Sequence, residues 1–160
     1  MEKKQIFLKI AKQLNRKLNI IPLLFGSLGL EQRLGVNLYP DDIDILIPEK
    51  YLTDKWNSLF ELLSESGYDL YDLHEHAFSK DNVSVAFAAI ESLKPFADVD
   101  ISNIPIVNEN GIQYCLLELQ DYLKVYTASS KDGYRVNKKN KQDGEKIKMI
   151  KHALNKTLLD

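Results

Sequence analysis

Two short stretches decide how this chain reads: Leu-Leu-Phe-Gly-Ser-Leu-Gly-Leu at residues 23–30 and Asp-Asp-Ile-Asp-Ile-Leu-Ile-Pro at residues 41–48. In the first, an apolar run over 20–25 reads as a buried strand that Gly26-Ser27 stops, and 28–34 is long enough for a short helix. In the second, Ile43, Ile45 and Ile47 alternate with Asp42, Asp44 and Leu46. A strand here places both aspartates on one face and the isoleucines on the other, and Pro48 closes it. The order is strand, Gly-Ser turn, helix, then a strand bearing two carboxylates.

That order carries chemistry. Two carboxylates held on one side of a strand repel each other unless a cation lies between them, and Mg²⁺ takes its oxygen ligands from one or two carboxylates plus substrate phosphates. Gly26 lets the backbone approach a phosphate closely, and Ser27 adds a hydroxyl donor at the N-terminus of the following helix. A Gly-Ser turn alone is most often only a turn, and the aspartate pair alone is little better. The combination in this order is far more specific.

On these residues the chain resembles the nucleotidyltransferase superfamily of DNA polymerase beta, especially its small bacterial members that modify antibiotics or proteins. The resemblance covers about residues 20–100. It implies an α+β fold, a mixed β-sheet flanked by helices with a C-terminal helical segment. It also implies Mg²⁺ held by Asp42 and Asp44 as catalytic residues, and Gly26 and Ser27 binding a nucleoside triphosphate. The reaction implied is transfer of a nucleoside monophosphate to a hydroxyl of a small molecule or protein.

Two departures from the family pattern stand out. Fourteen residues, 28 to 41, separate Ser27 from Asp42, which calls for an enlarged loop. The family's third carboxylate usually lies on a later strand, yet 83–90 contains no acid, leaving Glu91, Asp98 and Asp100 as candidates. Asp100 is the preferred third acid, as metal ligand and general base, because an extended Ala97-Asp98-Val99-Asp100-Ile101 would put Asp98 and Asp100 on one face. Asp98 reads equally well as a solvated turn residue. A catalytically degenerate member of the fold, binding a nucleotide or a protein, is the alternative. Lys141-Gln142-Asp143 is a loose version of the basic residue and aspartate that often open the family's last helix.

Elsewhere Phe7, Ile10, Ala11, Leu14 and Leu18 mark an amphipathic first helix. Trp56, Leu59, Phe60 and Leu63 mark a second, with Thr53 or Asp54 as its N-cap and Gly67 past its end. Strands are expected over 68–73 and 83–90, the latter after a turn at Lys80-Asp81-Asn82. A hairpin joins 104–107 to 112–115 across Asn108-Glu109-Asn110-Gly111, because Asn-Gly readily supplies positive φ. Helices follow over 119–127 and around Ile147, Ile150, Leu154 and Leu158, separated by a basic polar stretch. No repeat or linker divides the 160 residues, so one domain is expected.

Other residue types have plainer readings. His74-Glu75-His76 could offer metal ligands from alternate strand positions, but zinc needs three or four and the only other histidine is His152. Arg135, Lys138, Lys139, Lys141, Lys146 and Lys148 could steer a triphosphate, though solvation suits most of them better. Tyr122 and Tyr126, at helical spacing, fit packing better than base stacking; Tyr134 could stack and Lys124 could reach a phosphate. Net charge of −2 gives no general attraction to duplex nucleic acid. A single cysteine, Cys115, permits no internal disulfide and fits a reducing, cytoplasmic setting. Lys9, Lys12 and Gln13 interrupt the first apolar stretch before it could be a signal core, and no segment approaches the roughly 20 apolar residues that span a bilayer.

Overall fold

The computed structural model describes residues 2–131 and 140–159, with side chains to 131 and from 143 to 156. The elements run α1 (Lys3–Leu18), β1 (Leu23–Phe25), α2 (Gly26–Leu34), β2 (Ile43–Ile47), α3 (Trp56–Glu65), β3 (Asp69–Asp72), β4 (Ala77–Lys80), β5 (Val83–Ala89), α4 (Leu93–Ala97), β6 (Ile106–Glu109), β7 (Ile112–Cys115), α5 (Leu119–Lys131) and α6 (Asn140–Leu159). The strands form one mixed sheet in the order β3-β4-β5-β2-β1-β7-β6. β2 runs antiparallel to β1 and parallel to β5; β1 runs parallel to β7. The expected α+β fold, a mixed sheet flanked by helices with a helical C-terminal segment, is what the chain adopts.

Alternation along the central strands sorts the core onto the two faces of this sheet. Ile43, Ile45 and Ile47 of β2, with Leu24, Val85 and Phe87, pack with Phe7, Leu14, Leu59 and Leu63 of α1 and α3. Leu23 and Leu46 point the other way, into a cluster with Tyr122, Val125 and Tyr126 of α5 and Ile150 of α6. By the same period Asp44 faces the side on which α5 and α6 lie. α2 leads from one cluster to the other, giving Leu28 to the first and Leu30 to the second. Its far end is tied down where Arg33 donates to the carbonyls of Leu117 and Leu116 at 2.7 and 2.9 Å.

Several boundaries differ from the sequence reading for local reasons. β1 starts at Leu23 rather than 20, because Pro22 has no amide to give the ladder and Asn19 closes α1 in the left-handed conformation. Neither Thr53 nor Asp54 caps α3; a 3₁₀ turn over Glu49–Leu52 precedes it and Lys55 occupies the cap position. β4 had no counterpart in the expected strands. It pairs with β5 through Asp81-Asn82, both at positive φ, the two-residue geometry that suits the twist of a tight hairpin. The expected hairpin forms between β6 and β7, but its first strand is shifted to Ile106–Glu109, so that Asn110-Gly111 alone make the turn, both at positive φ.

Candidate active site

Phe25 ends β1 in an extended conformation, and Gly26 turns the chain directly into α2 at φ +64. Antiparallel pairing sets Phe25 opposite Asp44, so the turn and the carboxylate meet at one end of the sheet. A Cβ added to Gly26 would fall on the Asp44 carboxylate, so glycine is required twice, by the backbone angle and by this close approach. The free amides of the first turn of α2 lie where a negative charge is favoured.

The opposite wall belongs to the C-terminal helices. Tyr122 and Tyr126 of α5 stack with Phe25 in a ladder, with ring centroids 6.4 Å apart for Phe25 and Tyr122 and 6.1 Å for the two tyrosines. Burial, then Tyr126, pushes the Tyr122 phenol well above its ordinary 10.0, so this ring stays neutral. Lys146 of α6 sits 5.2 Å from the centre of the Tyr126 ring and donates to the Ser27 hydroxyl at 2.8 Å. Among the described residues these groups enclose a cavity of about 540 Å³, lined by Gly26, Ser27, Asp41, Asp42, Asp44, Tyr126, Glu145 and Lys146 and by the 37–40 loop. The end of the connection between Ser27 and Asp42 therefore forms part of a wall. Tyr39 stands on that loop, 80% exposed and at positive φ.

Of the residues singled out from the sequence, Gly26, Ser27, Asp42 and Asp44 line this one cavity. Asp42 does so from the bend before β2 rather than from the strand itself. The extended stretch expected to align Asp98 with Asp100 does not form. Asp98 closes α4 in a left-handed conformation, bound by Lys94 at 2.6 Å, while Asp100 caps a 3₁₀ turn by accepting from the Ser102 amide and hydroxyl. These partners hold both carboxylates below their ordinary range, Lys94 chiefly for Asp98 and the Ser102 hydroxyl for Asp100. Glu91 accepts from the Glu49 amide at 2.9 Å. None of the three lines the cavity.

The remaining candidates fall as follows. His74 and Glu75 lie in the turn between β3 and β4 rather than on a strand, and His76 packs against Trp56 at 5.2 Å. No group of three or more His, Cys, Asp or Glu side chains among the described residues gathers to hold a metal. Lys124 donates to the Asp98 carbonyl and Lys148 is exposed. Tyr134, Arg135, Lys138 and Lys139 lie outside the described residues, as do the side chains of Lys141 and Gln142. Asp143 is fully buried within α6, which begins at Asn140. Sequence reasoning named Lys146 among lysines that could steer a triphosphate or solvate a helix face, without singling it out, and passed over Glu145. Their only local signal is that residues 145, 146 and 149 share one helical face, and nothing in the sequence says what that face meets.

Comparison with solved structures places this fold. ANT(2'')-Ia in complex with adenylyl-2''-tobramycin superposes with a TM-score of 0.59 at 14% identity, covering 94% of this chain and 88% of the other. An antigenic nucleotidyltransferase-like protein from Paracoccidioides brasiliensis gives 0.62 at 19% identity, over 92% and 74%. A solution structure of the antibiotic-resistance factor ANT(2'')-Ia gives 0.56 at 14% identity, over 99% and 95%. The chain has the nucleotidyltransferase fold. It belongs to the family of the uncharacterized protein YnaI of Bacillus subtilis (strain 168), with 49% identity over 144 residues, 90% of this chain and 92% of that one. No protein-family model matches the sequence.

Proposed function

We propose that the chain is a Mg²⁺-dependent nucleotidyltransferase that moves a nucleoside monophosphate from a nucleoside triphosphate to a hydroxyl of a small molecule or protein. The observation that most supports this reading is the meeting of the left-handed Gly26 turn, the N-terminus of α2, the Asp44 carboxylate and the Lys146 ammonium in one cavity. Amide and ammonium donors beside carboxylates are what a metal-bound triphosphate needs. A pair of carboxylates suits Mg²⁺, which takes one or two carboxylates, keeps several waters and completes its shell with phosphate oxygens. Asp42 and Asp44 would hold the ion, and its chemistry there is neutralisation of phosphate charge.

The chain's own groups do the rest. Amides of the Gly26-Ser27 turn and the Lys146 ammonium bind the phosphates that leave as pyrophosphate. The wall of Phe25, Tyr122 and Tyr126 limits water on one side of the cavity. The acceptor oxygen attacks the α-phosphorus in line, the bond from phosphorus to the bridging oxygen breaks, and pyrophosphate departs, so acceleration comes mainly from positioning and electrostatics. The adenylylated tobramycin of the ANT(2'')-Ia complex recommends polyhydroxylated small molecules among the first acceptors to try.

One observation favours a second reading, a module that binds nucleotide without turnover: on β5 the residue paired with Asp44 is Ala86. A single experiment separates the two. The protein is incubated with Mg²⁺, each of the four labelled ribonucleoside triphosphates, and a panel of aminoglycoside, sugar and peptide hydroxyls, and pyrophosphate is measured. The transferase reading expects release that depends on an acceptor and falls at least a hundredfold in Asp44→Asn. Bound triphosphate without pyrophosphate from any acceptor favours the binding module, and full activity in Asp44→Asn removes the transferase reading.

A further inference from the structure

Proton removal from the acceptor needs a base, and β5, the strand that pairs in parallel with β2, does not supply one. In the parallel register of β2 and β5, Ile43 pairs with Val85, Asp44 with Ala86 and Leu46 with Ala88. Val85 and Phe87 are buried in the cluster on the far face, so Ser84, Ala86 and Ala88 are the residues of β5 that share the face of Asp44. None can take a proton at neutral pH.

The acids that do line the cavity, among the described residues, are Asp41, Asp42, Asp44 and Glu145. The first three come from one short segment at the start of β2. Glu145 comes from the opposite wall, on α6. Its neighbour Lys146 fixes that turn of helix against Ser27, and Met149, one turn on, lines the same cavity. The Glu145 side chain is exposed and has no hydrogen-bond or ion-pair partner among the described residues. A carboxylate available in this way, lining the same cavity as Asp42 and Asp44 from another element and one residue from the lysine that reaches Ser27, is placed to serve as a base.

We infer that Glu145 is the general base of the transfer, a helix-borne carboxylate standing in for the missing strand acid. This rests on the transferase reading above. The Glu145 carboxylate takes the proton of the acceptor hydroxyl as its oxygen bonds to the α-phosphorus; the bond to the bridging oxygen breaks, pyrophosphate carries away that electron pair, and Glu145 returns the proton to solvent. The acceptor accordingly lies between α6 and the Asp42-Asp44 segment, with its attacking hydroxyl directed at α6.

The test uses Glu145→Gln in the full chain, with the acceptor and triphosphate that wild type turns over best in the pyrophosphate assay. The expected result is a fall in kcat of a hundredfold or more, an unchanged Kd for the triphosphate with Mg²⁺, and loss of the rising acid limb of kcat against pH. Activity within threefold of wild type overturns the inference. So does a loss of activity matched by weaker triphosphate binding with the acid limb intact, which would make Glu145 a binding residue. Absence of turnover in wild type with intact triphosphate binding removes the transferase reading itself, and the base assignment with it. The two failures are thus told apart by the wild-type control.

Discussion

Gly26 is the residue on which the site turns, because its backbone angle and the nearness of Asp44 exclude a side chain for independent reasons. Gly26→Ala must hold alanine at positive φ, at a cost of about 1–2 kcal/mol, and also push the Asp44 carboxylate aside. The expected outcome is a modest drop in stability by urea denaturation together with a tenfold or greater rise in triphosphate Kd. A variant with lowered stability and unchanged Kd would show that the displacement of Asp44 has no bearing on the nucleotide. The residue scale is also where the sequence spoke most clearly. Gly26-Ser27 and Asp44 were legible because a strand alternates with period two and a tight exit from a strand favours glycine, while Asp42 reaches the cavity from the bend before the strand. Asp98 and Asp100 misled because local partners, Lys94 four residues away and Ser102 two residues away, compete with extended pairing through their own hydrogen bonds.

Among the elements, the β6–β7 hairpin and α1 form a titratable unit. Lys4 of α1 binds Glu109 of β6 at 2.9 Å, and the Tyr114 hydroxyl of β7 donates to the same carboxylate. The Lys4 hydrogen bond, then that of Tyr114, holds Glu109 below its ordinary 4.5, so its contribution to stability is present above that pH and is lost as pH falls through the lower native value. Burial, then Glu109, raises the Tyr114 phenol above 10.0, so neutral Tyr114 stabilises fully below pH 10 and ceases to do so as pH climbs toward the native value. Calorimetry from about pH 3 to 11 should find Tm falling at both ends, with a shallower acid limb in Glu109→Gln and a shallower alkaline limb in Tyr114→Phe. Limbs unchanged in both variants would place the titration elsewhere. The hairpin was legible through Asn110-Gly111. β4 was not, since four residues of mixed polarity closed by Asp81-Asn82 carry no period long enough to read.

Considered as a whole, the chain builds its cavity from parts far apart in sequence: the β1–α2 turn, the start of β2, and two helices that close the chain. This separates what could be read from what could not. The sheet half of the site follows from local pattern, whereas Lys146 reaches Ser27 across 119 positions, a contact that depends on how α5 and α6 pack against the sheet and on no local signal. A ligand that bridges both halves should stabilise the entire fold. At a triphosphate concentration a hundred times Kd, with Mg²⁺, the gain is about 2.7 kcal/mol, or a Tm increase of about 5–10 °C for a chain of this size. EDTA should abolish most of it. An equal shift with and without Mg²⁺ would count against metal-assisted binding by Asp42 and Asp44. No helix among the described residues is long and apolar enough to cross a membrane.

The antiparallel register of β1 with β2 leaves the 37–40 loop outside the hydrogen-bonded ladder while making it a wall of the cavity. Lengthening a connection of this kind costs little, since closure entropy grows only with the logarithm of its length. A one-residue insertion within β2, by contrast, would turn Asp44 toward the isoleucine face. Under the transfer proposed above, editing the loop around Tyr39 would exchange one acceptor for another while the carboxylates and the Gly-Ser turn stay untouched. On that reading the loop is a place where substrate range can drift while the chemistry is inherited.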